Sequence, residues 1–170
     1  MENQHVKHSN PQVLILDVQE EISSFGLEGK MNDYIGVQKS VLNILEQEKF
    51  FTEVINEESG MIIEITKKSI KETLGNGKRF QNLTRGLKEL KIATLRSLPK
   101  LIRIAHLKQY EVPNFHGNAA RYAYFIVEAQ INALDVSIRI DVKKTSAKNK
   151  FWLHMIDLNE KKPNYSVLVN

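Results

Sequence analysis

The sequence contains no cysteine. Disulfides, thiolate metal sites and a cysteine nucleophile are therefore excluded. The compartment stays open, because a cysteine-free chain suits the cytoplasm and equally suits an exported protein that must unfold to cross an envelope. No apolar run approaches the roughly 18 residues of a membrane-spanning helix, so no membrane partner is expected. The opening MENQHVKHSNPQ is polar and lacks the apolar core of a signal peptide. An export signal would then lie elsewhere, on a longer parent chain. Catalytic signatures are also scarce: there is no Gly-x-Ser-x-Gly elbow, no dinucleotide fingerprint and no HExxH. His5 and His8 sit in a polar tail, and His106, His116 and His154 are far apart, so neither a metal nor a cofactor is expected. Gly75-Asn76-Gly77-Lys78 lacks the spacing of a phosphate loop and follows a helical stretch, which makes it a helix C-cap.

What is present is an uneven distribution of charge. Residues 61–108 carry twelve Lys/Arg against three Asp/Glu, whereas residues 1–60 carry four against eleven. The remaining residues, 109–170, are close to balanced. Such asymmetry points either to an acidic segment packed beside a basic face or to two surfaces with different partners. A chain of 170 residues makes one domain with at most an accessory piece. The expected division is an acidic, mostly helical N-terminal accessory segment over 1–60 and a basic α+β domain over 61–170.

Along the chain, Val13–Leu16 is a short apolar run of strand length, and Gln19–Phe25 suits a helical turn. The apolar spacing of Ile35, Val37, Val41, Leu42, Ile44 and Leu45 predicts an amphipathic helix within 32–50, capped by Asp33. Met61–Ile65 reads as a strand. Thr66 is a good N-cap for the helix after it, with a capping box over Ser69–Glu72, and Gly75 ends that helix. Leu83, Leu87, Leu90, Thr94 and Leu98 lay one apolar stripe, with Lys88, Lys91 and Arg96 on the other faces. Pro99 starts a further helix, and Tyr110–Ala120 reads as a loop. In the last third, period-two alternation predicts strands over 121–131, 135–143 and 151–158. The expected fold is α+β, a helical N-terminal half packed on a curved C-terminal antiparallel meander.

RNA cleavage needs neither metal nor thiol. It requires a group to deprotonate the 2′-hydroxyl, a group to protonate the leaving 5′-oxygen, and cations for the crowded phosphate charge. The candidates are His154, His116, Arg139 and Thr73 for the chemistry, with Lys67, Lys68, Lys71, Lys78, Arg79 and Lys143 for phosphate. Each has a plainer reading. Lys67 and Lys71 suit a solvated helix face, His116 a loop brace, and Arg139 an ion pair with Asp141 or Glu128. Trp152 and His154 are two apart on a strand, so a buried Trp152 would carry His154 into the core.

At IEITKKSIKETL, SLPKLIRIAH, SIRIDVKK and KFWLHMID the chain resembles small domains of phage and conjugative-element polyvalent proteins and of bacterial polymorphic toxins. Several of these are assigned to the barnase–EndoU–colicin–RelE superfamily of metal-independent ribonucleases. The resemblance spans roughly residues 60–158. It implies an α+β fold with substrate on the exposed sheet face, cleavage of RNA (often transfer RNA) and, commonly, a cognate immunity protein. It also implies helix-borne polar groups at Lys67, Lys71 and Thr73 and a sheet histidine at His154. A two-histidine pair of the EndoU type is not evident. The protein would act in the cytoplasm or be secreted within a larger toxin. Two other readings remain open: a non-catalytic module of the same fold that binds nucleic acid or protein, and a structural domain whose acidic segment packs on its basic middle.

Overall fold

The computed structural model describes residues 12–14, 16–75, 81–113 and 121–161. The elements in chain order are β1 (Gln12–Leu14), α1 (Val18–Ser24), α2 (Tyr34–Gln47), β2 (Glu53–Ile55), β3 (Ile62–Glu64) and α3 (Lys67–Leu74). After them come α4 (Arg85–Thr94), a 3-10 turn (Leu95–Ser97), α5 (Leu98–Ile104), β4 (His106–Pro113), β5 (Arg121–Ile131), β6 (Leu134–Lys144) and β7 (Lys150–Glu160). Helices dominate the first half and long strands the second, which is the expected α+β fold. Among the described residues no helix is long and apolar enough to cross a membrane.

The predicted meander is the centre of one seven-stranded sheet, in the order β1-β5-β6-β7-β3-β2. β4 pairs antiparallel with the first half of β5, and β1 pairs parallel with its last residues, so the two share one edge of that strand. At the other side β3 runs parallel to β7 over Lys150–Trp152, and β2 closes the sheet antiparallel to β3. The sheet is therefore mixed, because two short strands from the helical half insert beside the long C-terminal ones. Neither β2 nor β4 was expected, and Tyr110–Pro113 belong to β4, not to a loop. Three residues in β2 are too few to show a period, and two register irregularities break the alternation of β4.

Alternation decides which sheet face is covered. On β5, Ala123, Phe125, Val127, Ala129 and Ile131 are buried, and on β6, Val136, Ile138, Ile140 and Val142. Their neighbours are not, so the helices lie on one face only. Ile22, Val37, Val41, Leu45, Ile70, Leu90, Leu98 and Leu101 complete this single core. The acidic segment contributes to core and sheet alike, without a break in packing at residue 60. Tyr110 on β4 meets Phe151 on β7 with ring centroids 6.1 Å apart, although β5 and β6 lie between. A flat sheet would separate these strands by about 14 Å, so the sheet curls around its covered face.

The helices follow local rules. Asp17 and Asp33 cap α1 and α2 by accepting from Glu20 and Gly36 N–H. Thr66 caps α3, but the reciprocal partner in the capping box is Ser69: Thr66 Oγ1 accepts from Ser69 N–H while Thr66 N–H donates to Ser69 Oγ. That box starts three residues earlier than the Ser69–Glu72 pattern suggested, since Ser69 lies inside the helix and not at its cap. Gly75 at φ +79 ends α3, and Gln38 Nε2 donates to Gly75 C=O (3.0 Å) and Lys71 C=O (3.3 Å).

Of the side chains expected on outward faces, Lys91 is buried and Arg96 half-buried. Lys91 is 6% exposed, with its ammonium 3.5 Å from Asp157. Arg96 donates to Glu48 Oε2 (3.0 Å) and Oε1 (2.8 Å), to Glu21 Oε2 (2.5 Å) and to Ser24 Oγ (2.7 Å). Its guanidinium also lies over the Phe25 ring, 4.1 Å from the centroid. One arginine thus joins α1, the end of α2 and the 3-10 turn.

Two outcomes are expected. Thr73→Val should cost about 1–3 kcal/mol in denaturant unfolding, because it strips the buried Ile156 N–H of its acceptor; an unchanged midpoint would show the bond to be dispensable. The hydrogen bond from Arg96 is the main reason that the Glu48 carboxyl sits below its usual range, so its contribution is full above the unfolded value near 4.3 and fades as pH falls through the lower folded value. Glu48→Gln should therefore lose about 0.5–1 kcal/mol at neutral pH, a magnitude reduced by solvent screening. That deficit should close in acid, and a deficit independent of pH would contradict the assignment.

Candidate functional site

The uncovered face of the sheet carries one continuous cross-strand row. Glu53 on β2 is opposite Glu64 on β3, Glu64 is opposite Trp152 on β7, Trp152 is opposite Lys143 on β6, and Lys143 is opposite Tyr122 on β5. The row reads carboxylate, carboxylate, indole, ammonium, phenol. Trp152 is 44% exposed, which overturns the expectation that it would draw His154 into the core. Lys150, on the same strand, puts its ammonium 2.5 Å from Glu53 and 3.7 Å from Glu64. Lys143 has no ion-pair partner among the described residues.

His154 stands on this face at a bulge. Register shifts between Asp141 and Val142, so that Val142 faces Leu153 and Asp141 faces Met155, which leaves His154 as the extra residue. Its ring meets Tyr122 edge-on, with centroids 5.4 Å apart at 70°. The outer edge of the bulge has no strand beside it, because β3 ends its pairing at Trp152. α3 takes over there. Ser69 Oγ donates to Leu153 C=O (2.5 Å), and Ile156 N–H donates to Thr73 Oγ1 (3.1 Å), so two hydroxyls one helical turn apart bracket the bulge.

That bracket places the rest of α3. Ser69 and Thr73 face β7 and Ile70 and Leu74 face the core, so a rotation of about 100° per residue brings Lys68 and Glu72 toward the open face. Tyr122 registers this charge. Burial first, then the carboxylates of Glu72 and Asp141, hold its phenol above the usual value. At neutral pH Tyr122 is therefore a proton donor and not a base.

The predicted site residues divide accordingly. His154 and Lys143 come together beside Tyr122. Arg139 lies farther along β6, stacked on Tyr124 at 4.2 Å with Nε 2.8 Å from Asp141 Oδ1, so its charge is already matched. Thr73 is completely buried and its hydroxyl is occupied by Ile156 N–H, which makes it a packing and positioning group. Lys67 pairs with Glu46 of α2 at 2.6 Å. Lys68 and Lys71 are exposed on α3, and neither has an ion-pair partner among the described residues. His116, Lys78 and Arg79 lie outside the described residues. Tyr122 and Trp152 were missed. The signal was present, since Lys150, Trp152 and His154 alternate with apolar Phe151, Leu153 and Met155. Among the described residues no three acidic or histidine side chains converge to hold a metal ion.

A family model described as large polyvalent protein-associated domain 3 matches residues 35–152. No curated protein and no solved structure matches the chain.

The Tyr122 phenol should titrate above the ordinary value near 10, and Glu72→Gln should move it back toward that value. Stability drawn from the neutral phenol is complete below the unfolded pKa and is lost as pH rises through the higher folded one. The phenolate absorbance difference between each protein and its Tyr122→Phe version reads both. No response to Glu72→Gln would remove Glu72 from the border of the site.

Proposed function

We propose that this chain, which belongs to the large polyvalent protein-associated domain 3 family, binds single-stranded RNA on its open sheet face and cleaves it without a metal ion. Membership of the family ties the domain to the polyvalent proteins of phage and mobile elements. The observation that carries the proposal is the meeting of Lys143, Trp152, Tyr122 and the bulge-borne His154 on one uncovered face. An exposed indole on a sheet is a stacking platform that tolerates any base, and an unpaired ammonium beside it suits the adjoining phosphate.

In this reading His154 takes the proton of the 2′-hydroxyl as its oxygen bonds to phosphorus. The bond from phosphorus to the 5′-oxygen breaks, and the Tyr122 phenol protonates the departing oxygen. The products are a 2′,3′-cyclic phosphate and a 5′-hydroxyl, and protons exchanged with solvent restore both residues. Lys143 supports the negative charge that builds on the phosphorane. Thr73 and Ser69 act indirectly by holding the bulge that aims His154.

One observation favours a narrower reading, binding without cleavage. Arg139 is matched by Asp141 and Thr73 by a backbone amide, which leaves Lys143 as the predicted sheet-borne cation without an ion-pair partner among the described residues. A single experiment separates the two. Purified protein is incubated with total RNA in excess EDTA, beside His154→Ala, Tyr122→Phe and Trp152→Ala. Cleavage should yield discrete fragments with cyclic phosphate ends, and loss of His154 should slow it by about 10²–10⁴-fold. Trp152→Ala should weaken binding by about 1–3 kcal/mol. Intact RNA that is nevertheless bound in a salt-sensitive way would leave the binding module. RNA neither bound nor cut by the folded protein would end both readings.

A further inference from the structure

We infer that the apolar groove between α4 and the β5–β6 turn is the docking site of the chain's own segment beyond Lys161, with the apolar side chains of residues 165–169 as its occupants. The groove has a volume of about 300 Å³ and lies at the end of the sheet where β7 finishes. Leu90 and Ile131 form its buried floor, and Val18, Leu87 and Leu134 its half-buried walls. At the rim, Asn132 Oδ1 accepts from Leu16 N–H (3.0 Å) and Thr84 Oγ1 accepts from Leu87 N–H (3.3 Å). These two side-chain oxygens are therefore engaged in holding the backbone around the groove. What the groove offers a ligand is chiefly aliphatic surface, and aliphatic surface selects an apolar partner.

The occupant is set by where the chain leaves the sheet. Lys161 N–H donates to Asp135 C=O (2.9 Å), one residue from the start of β6 at Leu134. The ladder thus ends beside the β5–β6 turn, and Glu160 already stands on the rim of the groove. The sequence then continues Lys162-Pro163-Asn164-Tyr165-Ser166-Val167-Leu168-Val169-Asn170. Proline has no N–H to give to a ladder. Four residues lead from Lys161 to Tyr165, a reach of at most about 14 Å, and the aliphatic run Val167-Leu168-Val169 follows at once. None of the other stretches outside the described residues holds two large aliphatic side chains in succession.

The tether supplies the rest. A segment joined to the rim by a few residues meets the groove at an effective concentration on the order of millimolar, so weak apolar contacts suffice to hold it. Docked there, it clasps the first turns of α4 to the β5–β6 turn and removes Val18, Leu87 and Leu134 from water. Glu160 lies eight residues along β7 from Trp152, roughly 26 Å. The inference therefore stands apart from the RNA reading.

The test uses the full chain. Because the sequence has no cysteine, Asn170→Cys accepts a single nitroxide just outside the aliphatic run. In amide spectra of the labelled protein, the signals of residues 84–90 and 131–134 should be lost by broadening, while those of Lys143 and Trp152 stay sharp. Val167→Asp together with Leu168→Asp, in the same labelled background, should restore the lost signals. Spin-labelled protein mixed with isotope-labelled, nitroxide-free protein should show no broadening, because the contact lies within one chain. Groove signals that stay sharp in the folded labelled protein would overturn the inference, leaving the groove to another occupant. Broadening that survives the double substitution would also overturn it, by removing the apolar contact. Broadening in the mixed sample would overturn it as well, by making a second copy the source of the segment.

Discussion

The outer edge of β7 is the constraint on which the rest of the molecule depends. An eleven-residue strand in the middle of a sheet needs hydrogen-bond partners along both sides. On one side β6 supplies them from Phe151 to Glu160, with only His154 left out of register. On the other, β3 supplies them for three residues and then ends, because Thr66 caps a helix. The strand would be left with unmet backbone groups in a region where Leu153, Met155 and Ile156 are buried. Ser69 and Thr73 meet that need from α3. A helix cannot follow the spacing of a strand, so it bonds at two points only, and the strand between them bulges. That bulge leaves His154 without a register partner on β6, on the open face beside Tyr122. Structure and candidate chemistry thus share one cause, and Thr73 belongs to that cause as a buried acceptor.

Charge shows the same economy. A reading by segment assigns a strongly basic middle to an external polyanion. Folding matches part of it with carboxylates of the same chain. Arg96 binds Glu21 and Glu48, Lys67 binds Glu46, and Arg103 approaches Glu57, so four acids of the N-terminal segment neutralise three bases of the middle. Lys91 reaches Asp157, and Arg85 pairs with Glu89 one turn along its own helix. Part of the acidic segment is thus counter-charge to the basic one. Its packing is also apolar, through Ile22, Phe25, Val37, Val41 and Leu45. The buried Asn56 adds a polar bolt, donating to Ile102 and Ala105 C=O at 2.8 Å each while accepting from Ser59. Such a network is strong because every one of its groups is satisfied.

Most of the fold was legible because it is written in short-range signals. The alternation of β5, β6 and β7, the Asp33 and Thr66 caps, the Gly75 stop and Pro99 at the start of α5 all concern residues within a turn or two of each other. β2 and β4 were not legible, for one is too short to have a period and the other is irregular. The parallel pairings of β1 and β3 were hidden for another reason. They are set by which strand edge remains open after the long strands have paired, and nothing in QVL or IIE states that.

The candidate site was half legible, and the missing half has the same origin. Parity along a strand places Lys143, Arg139 and His154 on the polar face, and in the structure they are there. Parity also placed Trp152 on that face, but the habit of burying tryptophan argued against it. The habit fails here because the helices cover only the other side of the sheet, so an indole pointing away from them has nothing to lie beneath. The bulge could not be read at all. Its determinants are hydroxyls on a helix more than eighty residues earlier in the chain, in side chains that look like ordinary capping and turn residues. Arg139 illustrates the converse. Its position was foreseen, yet its function depends on whether Asp141, two residues on, folds back to it. Position on a face follows from the local pattern, whereas availability for a ligand is settled by the partners that tertiary structure brings. For that reason Lys143, unpaired among the described residues, carries more of the functional argument than the basic segment first singled out by its charge.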